Sequence, residues 1–360
     1  MIKKSIICHN NNMKKKYYIL ITIFLISIIS IYNLYCAKFI SLSYQNLYIK
    51  QLIWYIFSFA LIYISSKINP NFILNNSKYF YILGNILLLV TLIFGVNVGG
   101  SRCWLQIGSI SFQTSEFMKI ALILSLRTIS LKRYSKLKFF IYSTILTLVP
   151  SLLTFLEPDT GAVIIFLIIY VSFLFLYKYP KKIYYILASI ILIFSGLFLY
   201  LYYQKQDLFI NIFGTSFFYR MDRITSFTKG EGYQINTALD SIKSSSIFGI
   251  KDYLYFPEST TDFAFTLLLA SCGILGASIF LIIYLAMLIL ITKLKTDKYL
   301  KISLLSVLTI QLTINVLMNI GLFPIIGITL PFLSYGGSSL LSNIILLTLT
   351  LKKVSDDTYL

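Results

Sequence analysis

Residues 330–341 read LPFLSYGGSSLL and lie between two long apolar runs. Proline, paired glycines and paired serines are poor choices for a continuous membrane helix. Irregular backbone at membrane depth survives only where protein buries it or where it lines a wet cavity. The wider stretch PIIGITLPFLSYGGSS, 324–339, therefore predicts a loop that dips into a helical bundle and walls a polar site. Gly336 and Gly337 permit close backbone approach, and Ser334, Ser338 and Ser339 supply hydroxyls around Tyr335.

Composition explains the apolar runs. Of 360 residues, 58% are hydrophobic and only 12% charged, which excludes an ordinary soluble globule and marks a polytopic membrane protein. Cys8, Cys36, Cys103 and Cys272 show no paired spacing, so neither a disulfide framework nor a zinc site is expected. The one histidine, His9, lies in a polar N-terminal stretch, leaving carboxylates to move protons. A net charge of +18 on a soluble protein would point to nucleic acid. Here its placement in loops explains it, and no nucleic-acid partner is expected.

A transmembrane helix needs roughly 20 apolar residues. The candidate spans are 17–37, 48–66, 79–96, 113–130, 139–156, 160–177, 183–203, 262–292, 300–323 and 336–351. With a cytoplasmic N-terminus, the inside segments take most of the 31 basic residues, so both ends are inside. The expected fold is all-α, a multi-pass membrane protein of about ten transmembrane helices. Residues 1–16 form a polar cytoplasmic tail, with an Asn-rich, disordered-looking stretch at 9–12. Residues 17–352 form one membrane domain with a long external loop, about 204–261, between spans seven and eight, and 353–360 form a cytoplasmic C-terminal tail. The first span is too long for a signal peptide, and Tyr35 is too bulky to precede a cleavage site at Cys36. Ile235, Leu239 and Ile242 recur at helical spacing within the external loop, predicting an amphipathic helix.

The acids show the opposite bias. Asp297, Asp356 and Asp357 fall inside, and the rest lie in external loops or at outer span ends. The plain reading is that acids simply collect outside, but it does not explain acids beside proline and glycine at span ends. GGSRCWLQIGSISFQTSEFMK, 99–119, holds Arg102, the interfacial Trp104, and Glu116 with Lys119 on one helix face. That pair either shares a polar cavity or snorkels near the helix end. EPDTG, 157–161, taken alone reads as a tight turn with Glu157 and Asp159 pointing out. YRMDR, 219–223, puts Arg220 and Arg223 at helical spacing outside, against the positive-inside bias, in a form that suits phosphate or a lipid headgroup. FPESTTDF, 256–263, brings Glu258 and then Asp262 to the start of a span, where capping by Thr260 or Thr261 with charge compensation competes with catalysis.

Together these motifs resemble the SEDS family of cell-wall glycosyltransferases, the FtsW, RodA and SpoVE proteins, over about residues 13–352. The family pattern G-x-R-R-W…F-Q-P-S-E-x-x-K appears as GSRCWL and FQTSEFMK, its Q/E-P-D-x-G as EPDTG, and its G-Y-Q as Gly232–Gln234. Its L-P-E-x-H-T-D-F appears as FPESTTDF, and its P-F-I-S-Y-G-G-S-S as PFLSYGGSS, with Asn315 ahead of GLFP. The chain departs from the pattern at Cys103 for arginine, Thr114 for proline, Thr260 for histidine, and Ala270 and Ser271 for two glutamates. YRMDR and ITLPF lean toward the FtsW branch.

The resemblance implies polymerisation of lipid II into glycan strands at the outer face of the bacterial cytoplasmic membrane, for division or elongation. Pyrophosphate leaves without protonation when cations stabilise it, so one base suffices. Asp262 matches the family's essential aspartate and would deprotonate the acceptor 4-hydroxyl for an inverting attack. Arg102, Lys119, Arg220 and Arg223 would serve the diphosphates, with Glu116 holding Lys119. Trp104, Ser334, Tyr335, Gly336 and Gly337 would shape the substrate cavity, and Glu157, Asp159 and Glu258 would shape it or bind a divalent cation. No tightly bound cofactor is implied, although a divalent cation, Mg or Mn, fits the chemistry. The implied partners are lipid II, a single-pass class B penicillin-binding protein, other divisome or elongasome membrane proteins, and membrane lipids. Two alternatives stay open: a catalytically impaired scaffold for a penicillin-binding protein, and a lipid II flippase.

Overall fold

A computed structural model describes residues 2–98, 101–108, 110–132, 134–229, 232–249 and 255–352. In chain order the helices are α1 Ile2–Ala37, α2 Leu47–Lys67, α3 Pro70–Asn75, α4 Ser77–Phe94, α5 Thr114–Leu131, α6 Lys136–Leu156, α7 Thr160–Leu176, α8 Lys181–Gln204, α9 Gln206–Phe213, α10 Thr215–Lys229, α11 Tyr233–Lys243, α12 Ala264–Thr292, α13 Lys298–Asn319 and α14 Gly337–Leu351. A helix stands at each of the ten expected span positions. By length and composition, seven helices among the described residues can cross a membrane. The others at expected positions are α5, which carries Glu116, Lys119 and Arg127, and the shorter apolar α7 and α14.

The less regular helices sit centrally because they can satisfy polar groups only inside protein. On α5, Arg127 Nε meets Asp297 Oδ2 at 2.6 Å, and both side chains are buried. Asp297 also caps α13 by accepting from the Tyr299 and Leu300 amides. Pro150 strips a hydrogen bond from the interior of α6. The Leu146 carbonyl it would have served accepts from the Tyr81 hydroxyl at 2.9 Å instead.

Three results correct the sequence reading. The stretch read as a disordered tail is helical, because α1 begins at Ile2. Its Asn12 exchanges hydrogen bonds with the main chain of Lys295, docking that end on the loop between α12 and α13. The segment between α4 and α5 is a three-stranded antiparallel sheet: β1 Val96–Val98, β2 Ser101–Ile107 and β3 Ile110–Gln113. Third, α12 is broken. Gly273 adopts φ +66°, and the Leu275 amide donates to the Ile247 carbonyl of the segment between α11 and α12. A side chain at Gly273 would collide with that loop backbone, so the break requires glycine.

The amphipathic helix expected in the external loop is α11, with Ile235 and Ala238 buried against Phe263 and Leu267 of the α12 region. Helices α8, α9 and α10 share a separate aromatic cluster built on Tyr202, Phe209 and Phe217. The central part of α8 buries no residue inside the chain.

Candidate active site

A cavity of about 410 Å³ opens where the β-sheet, the α6–α7 turn, α10, the start of α12 and the loop before α14 converge. Trp104, Asp159, Glu258, Asp262, Tyr335 and Gly336 line it, whereas Glu157, Ser334 and Gly337 do not. One wall is apolar and aromatic, built from Phe155, Ile164, Phe198, Phe217 and Met221. Sequence reasoning missed that wall, whose residues come from four helices with no shared motif. It also left Gln113 and Gln234 without a role, although both fall inside quoted motifs and line the cavity.

The backbone around Asp262 is clamped. Its carbonyl accepts from Asn315 Nδ2 and Asn319 Nδ2, each at 2.9 Å. Asn319 Oδ1 also accepts from the Thr266 amide at 2.7 Å, so α13 supplies the cap for α12. Neither Thr260 nor Thr261 is the N-cap; that position is Phe263, without a side-chain cap bond. Thr261 instead donates to Glu258 Oε2 at 2.6 Å. Glu258 sits at φ +54°, an unfavourable conformation held by this turn.

The 320–336 loop behaves as its composition predicts. The Tyr335 amide donates to the Thr260 carbonyl at 2.8 Å, and the Ser334 hydroxyl donates to the Thr261 carbonyl at 2.6 Å. Ser334 Oγ also accepts from the Leu330 amide. Side chains of the first two helices satisfy three more of its carbonyls: Ser30 serves Leu333, Tyr55 serves Phe332, and Gln51 serves Ser334. A Cβ at Gly337 would overlap the ring of Trp54, which explains the second glycine of the pair.

The EPDTG turn differs from its sequence reading. Glu157 and Asp159 do not point out, and both are buried. Asp159 caps α7 by accepting from the Ala162 amide at 3.2 Å, and it accepts from Gln113 Nε2 and Ser115 Oγ at 2.9 Å each. Glu157 is fully buried, and neither carboxyl oxygen has a hydrogen-bond partner in the structure. Burial, with a further contribution from the Asp159 charge, pushes its carboxyl up to about 9.

Glu116 and Lys119 pair at 2.6 Å, as expected, but behind the cavity wall. Lys119 Nζ also donates to Asn343 Oδ1 and Glu116 accepts from Ser342, so the pair fastens α5 to α14. Arg102 is exposed on β2 and lies off the cavity lining. Arg220 and Arg223 belong to α10, but their side chains lie outside the described residues.

This arrangement has close relatives. The family described as cell cycle protein, FtsW/RodA/SpoVE, matches residues 14–359. The chain belongs to that family. Among its relatives is a probable peptidoglycan glycosyltransferase FtsW of Coxiella burnetii, 30% identical over 82% of this chain and 83% of the relative. The stage V sporulation protein E of Bacillus subtilis is 32% identical over 73% of this chain and 75% of its own. Two solved structures share the SEDS fold. One, described as structural coordination of polymerization and crosslinking by a peptidoglycan synthase complex, has a TM-score of 0.74 at 21% identity, covering 93% of this chain and 96% of that one. The other is the rod shape determining protein RodA of Thermus thermophilus, with a TM-score of 0.66 at 20% identity, covering 92% and 94%.

Proposed function

We propose that the chain is a peptidoglycan glycosyltransferase that polymerises lipid II, with the cavity at the outer face of the bacterial cytoplasmic membrane and both termini inside. The observation that carries this reading is the clamp on Asp262. Two buried asparagines hold its backbone while its side chain lines the cavity. A general base needs that fixity, because proton transfer demands hydrogen-bond reach to one hydroxyl.

Asp262 takes the proton from the acceptor 4-hydroxyl as that oxygen attacks the donor anomeric carbon. The sugar–phosphate bond breaks with inversion, and undecaprenyl pyrophosphate leaves. Arg220 and Arg223 are assigned to the diphosphate, Arg102 lying off the cavity lining, and Lys119 positions Glu116 and α14 from behind the wall. The apolar wall faces the lipid end of the donor, and Ile164 lies both on it and in an apolar groove beside α7, α8 and α13. No cluster of three or more metal-ligating side chains occurs among the described residues. Where magnesium or manganese takes part, Glu258 would hold it beside the substrate, leaving Asp262 as the base. Such an ion would neutralise charge on the leaving pyrophosphate. The Asp159 oxygens are already engaged. The partner is a class B penicillin-binding protein, and the FtsW-like relatives favour a division role.

The test is glycan polymerisation from labelled lipid II with magnesium or manganese, with and without the penicillin-binding protein, comparing wild type and Asp262→Asn. Polymer from wild type alone supports the enzyme and its base. Polymer from both keeps the enzyme and removes Asp262 from the chemistry. No polymer from either, with an active homologue in the same assay, favours the scaffold.

A further inference from the structure

The end of the bundle opposite the cavity carries a second feature, independent of the catalytic reading. The α5–α6 and α7–α8 loops lie side by side there. They and the helix starts beside them present six exposed lysines: Lys132, Lys136, Lys138, Lys178, Lys181 and Lys182. No acidic residue occurs in 128–156 or 160–206. The positive-inside bias accounts for the sign of this charge and not for how its loops are held. These loops are stitched together. The Tyr177 hydroxyl donates to the Tyr134 carbonyl at 2.7 Å, Tyr179 donates to the Lys136 carbonyl, and Lys136 Nζ reaches the Lys178 carbonyl at 3.3 Å. Tyr177 stacks on Phe139 with ring centroids 3.9 Å apart.

Directly beside this rigid cationic rim, an apolar groove of about 540 Å³ runs between α6 and α8. Phe140, Tyr179, Ile183, Leu187 and Ile190 line it, and Lys136 lies at its loop end. The corner made by the α12–α13 loop is different. There Lys301 and Lys15 donate to main-chain carbonyls, as Lys136 does on the rim, but Asp297 adds an acid.

We propose that the groove between α6 and α8 binds one anionic diacyl phospholipid, its phosphate on the lysine rim and its chains along the apolar walls. Charge complementarity selects the headgroup: a zwitterionic lipid returns a positive charge to a rim that already carries six. The groove selects the chains, which free phosphate lacks. Basic pockets between transmembrane helices recognise anionic headgroups in this way.

The experiment is native mass spectrometry of the full chain in mild detergent, with dioleoylphosphatidylglycerol or dioleoylphosphatidylcholine added at equal concentration. Wild type is expected to retain the anionic lipid at least tenfold better, with glycerol 3-phosphate failing to displace it. Combining Lys136→Gln, Lys181→Gln and Lys182→Gln brings the preference near unity, whereas the three arginine replacements keep it. Lys293→Gln with Lys295→Gln and Lys298→Gln, which removes the same charge from the other corner, leaves it intact. Leu187→Trp fills the groove and lowers retention of the lipid without altering the rim. Equal retention of the two lipids by wild type overturns the proposal. So does equal loss from both lysine triples, or an unchanged Leu187→Trp. Displacement by glycerol 3-phosphate overturns it in favour of a phosphate site without chains. Should the glutamine triple not fold, the arginine triple and Leu187→Trp still decide.

Discussion

Asp159 and Asp262 stand in similar sequence settings. Each follows a proline–acid or acid–proline turn, stands within two residues of a helix start and lines the same cavity. Their uses diverge. The Asp159 carboxylate caps its own helix and collects two more donors. At Asp262 the capping duty passes to Asn319, which meets the Thr266 amide, while Asn315 and Asn319 hold the Asp262 carbonyl. One aspartate builds the wall and the other is presented by it. A motif does not distinguish them; the helix packed behind each does.

The sharpest contrast is expected from Asp262→Asn. Polymerisation should fall roughly a thousandfold, within the usual range for a general base, with thermal unfolding in detergent close to wild type. A large loss of stability instead would place Asp262 with Asp159 as a structural group. Next is Asn319→Ala, which strands the buried Thr266 amide. It should destabilise by about 3 kcal/mol and cost roughly tenfold in activity through Asp262 misplacement. Loss of stability with full activity would show that Asn315 suffices as the clamp. Asp159→Ala removes a cap and leaves two donors short. It should cost about 2 kcal/mol in unfolding free energy and less than tenfold in polymerisation. A greater effect on rate than on stability would break the comparison.

The smallest effect on polymerisation concerns Glu157. Its folded pKa of about 9 exceeds the ordinary value of 4.5, so the folded protein holds a proton that the unfolded chain releases between those limits. Its contribution is therefore full below pH 4.5 and declines as pH rises toward 9, by about 1.4 kcal/mol per pH unit. Glu157→Gln should flatten that slope in melts across pH 5–8 and leave polymerisation unchanged. A slope that persists would put the titration on another group.

The long helices were legible because apolar length is a local property, and the motif clusters were legible because their residues are contiguous. The hairpin escaped although its cue was present: Gly108 at φ +61°, followed by Ser109, sits between the runs RCWLQI and ISFQ. Membrane context drew attention to helices instead. The burial of Glu157 was not legible, because desolvation depends on packing around the turn rather than on its sequence. Nor were Ser30, Gln51 and Tyr55, which serve the 320–336 loop from some 280 to 300 residues away. Single polar residues in apolar spans do not announce their partners.

The break at Gly273 has a further consequence. A continuous helix turns by about 100° per residue, so its two ends are locked in phase. With the break, α12 becomes two rods with a joint. The short upper rod, buried from Ala264 to Ser271, carries the Asp262 turn, and the Ile247 carbonyl braces the joint from outside. The lower rod can then change register against the lipid, through insertion or deletion of a residue, without rotating the aspartate out of the cavity. The joint is a phase boundary that lets the membrane-facing part of α12 vary independently of the part that faces the substrate.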